Sequence, residues 1–199
     1  DDGTDQGTAW YGVAFDDSSW ASGDAELGFG DGDETTTVAD VNQITTYFRK
    51  SFNVTAAEAA MANMVFDLTY DDAAVIYLNG VEVWRMNISG AVSYTTLADS
   101  DSGDNATASI TLPNALLTGT NVVAVEIHQR TATSSDISFD LDLSVLPEYN
   151  INSGGLWSYL DDGSDQGTAW YGTAFNYSSW ATGNAELGYG DGDETTTVS

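Results

Sequence analysis

The residues best suited to chemistry in this chain are carboxylates set among glycines. Asp1, Asp2 and Asp5 fall in one such segment (DDGTDQ), and Asp31, Asp33 and Glu34 in another (GDGDET). Both recur near the C-terminus, as Asp161, Asp162 and Asp165 and as Asp191, Asp193 and Glu194. Calcium takes about six to eight hard oxygen ligands from carboxylates and backbone carbonyls. Closely spaced Asp residues among glycines supply both, because Gly lets the backbone turn its carbonyls inward. Neither segment has the spacing of the calcium loop of helix-loop-helix proteins. Two readings stand: calcium held by both segments plus a strand end such as Asp136 or Asp140, or solvated acidic loops of a salt-adapted protein. Asp99, Asp101 and Asp104 form a further cluster, read as solvated.

Other candidates carry weaker signals. Asp71-Asp72 precedes an apolar run; it can bind a sugar, or close a β-turn with its own backbone. His128 is the only histidine and has Glu126 two positions away. No Ser or Thr sits in a nucleophile pattern, so His128 is read as a structural strand residue and the chain as not an enzyme. Trp10 and Trp20 are expected to anchor loops, whereas Trp84 can face a core or stack on a sugar ring. The four cations, Arg49, Lys50, Arg85 and Arg130, are each expected to pair with a carboxylate.

Against those four stand 31 acidic residues, a net charge of −27. Polyanionic nucleic acid and anionic membrane surfaces would be repelled. The self-repulsion calls for an offset, and bound cations or high salt are the candidates. Hydrophobic residues make up 42% of the chain, enough for a packed core rather than an acidic disordered tail. The absence of cysteine excludes disulfides and thiolate chemistry. No apolar run is long enough to insert as a membrane-spanning helix.

The elements that must position these residues are organised by a repeat. Residues 1–39 and 161–199 align without a gap, with 31 of 39 positions identical at an offset of 160. That period suits one whole domain per repeat. The expected layout is a first β-sandwich repeat over 1–147, a Gly-ending linker over 148–155, and the beginning of the next repeat over 156–199. The second copy is preceded by Leu156-Trp157-Ser158-Tyr159-Leu160, an alternating stretch that reads as a strand and has no counterpart ahead of Asp1. The chain is therefore either a window on a longer array or a subunit whose Leu156–Leu160 segment completes a neighbouring copy. Either way the arrangement is head-to-tail.

Strands are expected over Ile44–Asn53, Met64–Tyr70, Ala74–Leu78, Val81–Arg85, Ser93–Leu97, Ala108–Leu112, Asn121–Gln129 and Asp136–Val145. Asn79-Gly80 is a hairpin signal, since both residues tolerate positive φ. Val123, Val125 and Ile127 face away from Glu126 and His128. Ile137, Phe139, Leu141 and Leu143 alternate with polar residues, giving one buried and one wet face. Short helical turns are expected at Ala56–Ala62 and near Pro113–Leu117. The whole reads as all-β, an antiparallel β-sandwich or jelly roll.

The sequence LWSYLDDGSDQGTAW, followed by AELGYGDGDETTT, ITTYFRKSF, YDDAAVIYLNGVEVWR, NVVAVEIHQ and SDISFDLDL, resembles the galactose-binding-domain-like β-sandwich modules of large secreted tandem-repeat proteins. The resemblance implies an eight- or nine-stranded jelly roll, frequently with a structural calcium ion. It leaves function open among spacers, adhesive modules and sugar binders. A structural or adhesive repeat of an extracellular or cell-surface fibre is expected, with a carbohydrate-binding module as the alternative. Expected partners are neighbouring copies, with glycans under the alternative.

Overall fold

The computed structural model describes residues 3–147 and 153–199. Asp1, Asp2 and residues 148–152, the larger part of the expected linker, lie outside the described residues. The chain forms two compact units, Asp1–Glu148 and Tyr149–Ser199. In the first, chain order is β1 (Leu27–Phe29), β2 (Thr36–Thr37), β3 (Thr45–Val54), α1 (Ala56–Ala59), β4 (Asn63–Tyr70), β5 (Ala73–Leu78), β6 (Val81–Met86), β7 (Ala106–Pro113), β8 (Gly119–His128) and β9 (Ile137–Leu146). The second holds β10 (Leu156–Tyr159), β11 (Ala181–Asn184), β12 (Leu187–Gly188) and β13 (Thr196–Thr197).

The first unit is an antiparallel β-sandwich. One sheet runs β2-β1-β9-β4-β7 and the other β3-β8-β5-β6; the only parallel pair in them is the short β1–β2. Period-two alternation builds the core between them. Met64, Phe66 and Leu68 of β4 and Ile137 and Phe139 of β9 meet Ile76 and Leu78 of β5 and Val123, Val125 and Ile127 of β8. The remainder of β9 and all of β7 alternate with solvent, as expected of a half-wet sheet.

The four-stranded sheet departs from that pattern. β5 is buried along its whole length, and β8 from Asn121 to His128, because both faces are covered. On the outer face Ala73, Val75, Tyr77 and Ala124 form a second cluster with Trp10. Trp10 is 1% exposed and packs on Tyr47, Tyr77 and Tyr11, with ring centroids 4.6, 5.7 and 5.6 Å away. Arg49 ties the loop down: its guanidinium donates to Asp17 and to the carbonyls of Trp10 and Gly12. The N-terminal loop is thus a lid of aromatics laid on a sheet.

The Asn79-Gly80 turn has φ of 52° and 87°, as a tight hairpin with two left-handed residues requires. Helix α1 is only four residues long. Thr55 caps it, its hydroxyl accepting from the Glu58 amide while the Glu58 carboxylate accepts from the Thr55 amide. Replacing Thr55 with alanine should cost about 1 kcal/mol, read as an earlier urea midpoint with unchanged slope. Two expectations fail. Ser93–Leu97 is not a strand but a turn closed by Thr96, whose amide donates to the Ser93 carbonyl at 2.8 Å and whose hydroxyl accepts from the Ser93 amide at 2.9 Å. Pro113–Leu117 does not wind into a helix; the Asn114 side chain bonds back to the carbonyls of Glu58 and Met61 instead.

The second unit reproduces the local structure of the first segment. β12–β13 is a parallel pair with Leu187 opposite Thr196, as Leu27 is opposite Thr36. It also pairs β10 with β11, Trp157 falling opposite Gly183 and Ser158 opposite Thr182.

Candidate metal centre

The tip of the β1–β2 connection carries Asp31, Asp33 and Glu34. Glu34 folds back and accepts from the amides of Asp31 and Gly32, at 3.0 and 3.1 Å. Glu194 does the same with Asp191 and Gly192 in the second unit, both at 3.0 Å. This loop therefore takes its shape from its own residues. In the first unit other loops arrive beside it. The carboxylates of Asp31, Asp104 and Asp136 lie within 4.8 Å of one another, as do those of Asp31, Asp33 and Glu34. Asp31 is common to both sets, and its other contact is the Ser138 hydroxyl, which donates to Oδ2 at 3.0 Å. Asn105 donates its amide to Asp33 at 3.1 Å, while its Oδ1 is buried without a partner.

No cation offsets this charge, since the ion pairs of Arg49 and Arg85 lie elsewhere and Lys50 and Arg130 make none among the described residues. The carboxyl pKa values record the strain. Burial, with help from Asp31 and Asp104, raises Asp136 against an opposing hydrogen bond from Ser135. Burial raises Glu26, with Asp33, Asp140 and Asp31 adding to it against a lowering contact from Ser138. Among the described residues the buried side-chain atoms without a partner are Oε1 of Glu26, Oδ1 of Asn105, Oε1 of Gln129, whose amide donates to the Asp136 carbonyl, and Nε2 of His128. Oxygen-only ligands, crowded acids and unpaired acceptors are what a hard divalent cation requires. Asp31, Asp33 and Glu34 can hold a metal ion, and Asp104 and Asp136 extend the set.

Several expected ligands are placed elsewhere. Asp5 accepts from the Gly7 amide and closes its own turn, as Asp165 does with Gly167. Asp161 accepts from the Ser199 amide, and Asp162 from the amide and hydroxyl of Ser164. Asp191 and Asp193 sit on the repeated loop, without counterparts of Asp104 and Asp136 among the described residues of their unit. Among the described residues, Asp5 is thus not brought into the Asp31–Glu34 cluster, and Asp1 and Asp2 lie outside the described residues. Conversely, Asp104, read as solvated, belongs to the centre. Its φ-positive neighbour Asn105 carries no sequence signal for a place at this centre.

Asp71 and Asp72 form the corner where the chain passes from β4 in one sheet to β5 in the other. They are 4% and 3% exposed, which leaves no face for a sugar ring. Asp72 accepts from the amides of Ser102 and Arg130, at 3.1 and 2.6 Å, and Asp71 accepts from the Ser102 hydroxyl. Burial, and then Asp72 beside it, hold the Asp71 carboxyl well above the usual carboxylate range, with Asp136 contributing. A carboxyl raised by folding stabilises the native state below its unfolded pKa, and that stability fades as pH rises through the folded value. Metal-free protein should therefore lose melting temperature from about pH 4 toward neutrality, the reverse of ordinary acid denaturation. Differential scanning calorimetry after metal stripping reads this directly, and saturating calcium should flatten the curve.

Trp84 is half-buried against the inter-sheet core, opposite Ile76. His128 is fully buried; Nδ1 lies 2.7 Å from the Thr96 carbonyl and 3.0 Å from the Thr45 hydroxyl, which assigns the proton to Nδ1. Its Nε2 is 3.4 Å from Glu126, and Glu126 also accepts from the Tyr77 hydroxyl at 2.7 Å. These groups join β5 to β8 and tie β8 to Thr45 of β3 and to the turn that carries Thr96. Among the described residues no helix is long and apolar enough to cross a membrane.

The fold and site together define a β-sandwich with a candidate cation centre at one end. No protein family and no curated protein matched the chain. Solved structures with partial likeness are the β-D-mannosidase of Dictyoglomus thermophilum (16% identity, TM-score 0.31, 44% of this chain and 9% of that one), a β-glucuronidase of glycoside hydrolase family 2 (13%, 0.39, 76% and 18%) and a β-glucuronidase of an uncultured Clostridium sp. (14%, 0.32, 59% and 22%). The chain thus spans less than a quarter of the length of each.

Proposed function

We propose that this chain is a non-catalytic, calcium-stabilised β-sandwich module of an extracellular or cell-surface protein, repeated head-to-tail as a structural or adhesive element. The carboxylate centre carries the reading. Three loops that are far apart in sequence converge on one oxygen-lined point without a cation, an arrangement that costs stability until an ion is supplied. Near-identity of the duplicated segments supports the repeat: a stalk gains length from each added copy, whereas a catalytic unit gains little. Calorimetric titration of the 199-residue chain with calcium is the test. Saturable binding that disappears in Asp136→Ala is expected, and no heat above the dilution baseline refutes it.

The alternative, a carbohydrate-binding module, has one favourable observation. A hollow of about 730 Å³ in the first unit is lined by Trp20, Tyr47 and Phe48 together with Gln6 and threonines. Aromatic faces beside amide and hydroxyl groups suit a sugar. Glycan-array binding lost on Trp20→Ala would favour it.

A further inference from the structure

Asp104, Asp136 and Asp31 reach the candidate centre on three separate connections, and each connection is bonded to the buried Asp71-Asp72 corner. Asp104 stands near the end of the stretch between β6 and β7. Two residues before it, the Ser102 amide donates to Oδ1 of Asp72 at 3.1 Å and the Ser102 hydroxyl to Oδ1 of Asp71 at 3.3 Å. Asp136 ends the stretch between β8 and β9, and near the start of that stretch the Arg130 amide donates to Oδ2 of Asp72 at 2.6 Å. Asp31 is held through Ser138, whose hydroxyl donates to Asp31 and whose carbonyl accepts from the Asp71 amide at 3.1 Å. The Asp72 carbonyl is engaged as well. It accepts from Nδ2 of Asn87, which also donates to the Ser100 carbonyl, and the Ser100 hydroxyl donates to Oδ1 of Asn87 at 2.7 Å.

We infer that Asp72 is the positioning residue of the cation centre: its carboxylate fixes the spacing of the loops that deliver Asp104 and Asp136, and calcium affinity depends on it although it is not a ligand. The inference rests on the calcium reading above. Asp72 does not belong to the groups of carboxylates that can share an ion. Nor is it an ordinary turn aspartate. Asp5 and Asp101 accept from amides two residues on, whereas Asp72 accepts from amides 30 and 58 residues away. A buried carboxylate has to be offset by donors, and here the donors come from two loops, so satisfying the charge also sets where the loops lie. Calcium oxygens must converge to about 2.3–2.6 Å from one point. Like-charged carboxylates drift apart when nothing ties them, and an ion would then have to draw the loops together at the expense of its own affinity. Asp72 supplies that convergence in advance.

Calorimetric calcium titrations of the full chain test this, at a temperature where near-ultraviolet circular dichroism shows each variant folded. Asp72→Asn keeps the shape of the side chain but turns an N–H toward one of the two amides. Its calcium dissociation constant should be weaker by about 10–100-fold, the loss usual for groups that orient metal ligands. Hydrogen exchange in chelator should quicken in both the 99–105 and 130–136 stretches. Two controls separate positioning from stability. Ser102→Ala loses the hydroxyl contact to Asp71 and keeps the amide on Asp72, and Thr55→Ala weakens a remote helix cap; both should bind calcium within about two-fold of the parent. Should Asp72→Asn not fold, Ser102→Pro carries the same expectation, because it removes the donating amide from a partly exposed loop and leaves the buried corner unchanged. Parent-like affinity in Asp72→Asn, or in Ser102→Pro where Asp72→Asn does not fold, overturns the inference and leaves the calcium reading standing. An equal loss in Thr55→Ala overturns it in favour of general destabilisation. A parent chain that takes up no calcium overturns both.

Discussion

Calcium in thousand-fold excess over its dissociation constant should stabilise the first unit by about 4 kcal/mol, a rise in melting temperature of roughly 10 °C or more. The centre makes a sharper statement than the size of the shift. In the metal-free chain Asp31, Asp104 and Asp136 repel one another, and Asp136 holds its proton too tightly for a surface carboxyl. Asp104→Asn removes one repelling charge while keeping shape and an oxygen. The variant should therefore be as stable as the parent or more so without metal, and should lose most of the calcium increment. A solvated acidic loop behaves otherwise, because neutralising one exposed aspartate shifts stability by less than about 0.5 kcal/mol with or without the ion. Asp101→Asn, three residues away and accepting from the Gly103 amide alone among the described residues, is the matched control. Thermal melts of the three proteins with calcium and with chelator decide between the two.

The second large effect uses the repeat against itself. Trp10→Ala should cost about 3–5 kcal/mol, because it empties the centre of the aromatic lid and leaves Tyr47 and Tyr77 without their partner. The identical residue of the second copy, Trp170, is 50% exposed and, among the described aromatics, contacts Tyr171 and Trp180. Trp170→Ala should cost less than about 1 kcal/mol. Same letter, same neighbours in sequence, different receiving surface: urea denaturation followed by near-ultraviolet circular dichroism measures both, and equal costs would contradict the packing described.

The contrast also marks what the sequence could and could not reveal. Strands with one wet face were legible, since alternation in β4, β7 and β9 follows directly from which side meets water. The Asn79-Gly80 turn was legible because its φ angles demand those residues. β8 misled: Glu126 and His128 look like a solvent face and are instead buried, Glu126 bonded to Tyr77 and His128 to Thr45 and Thr96. A polar residue on a strand does not say what covers it. Ser93–Leu97 has strand-forming residues, but Thr96 gives its polar groups a local turn to satisfy. At the metal centre, Asp31, Asp33 and Glu34 were visible as a cluster because they are adjacent in sequence. Asp104 and Asn105 were not, because only sheet topology carries the loop before β7 to the loop before β9. Asp71 and Asp72 were read as a turn or a surface site, since nothing local tells that a crossing between sheets is buried.

The pairing of β1 with β9 bears on how such a protein acquires its structure. The two strands are roughly 110 residues apart, whereas the same β9 lies only about 40 residues before β12, the second copy's version of β1. Loop-closure entropy favours the nearer partner by about 1 kcal/mol. A chain refolding from denaturant therefore has a kinetic competitor built into its duplication, a crossed pairing between adjacent copies. A chain emerging from the ribosome does not, because β9 appears while its own β1 is already waiting and the rival strand is still unmade. For a chain that carries this segment twice, direction of synthesis supplies the discrimination that the duplicated letters withhold.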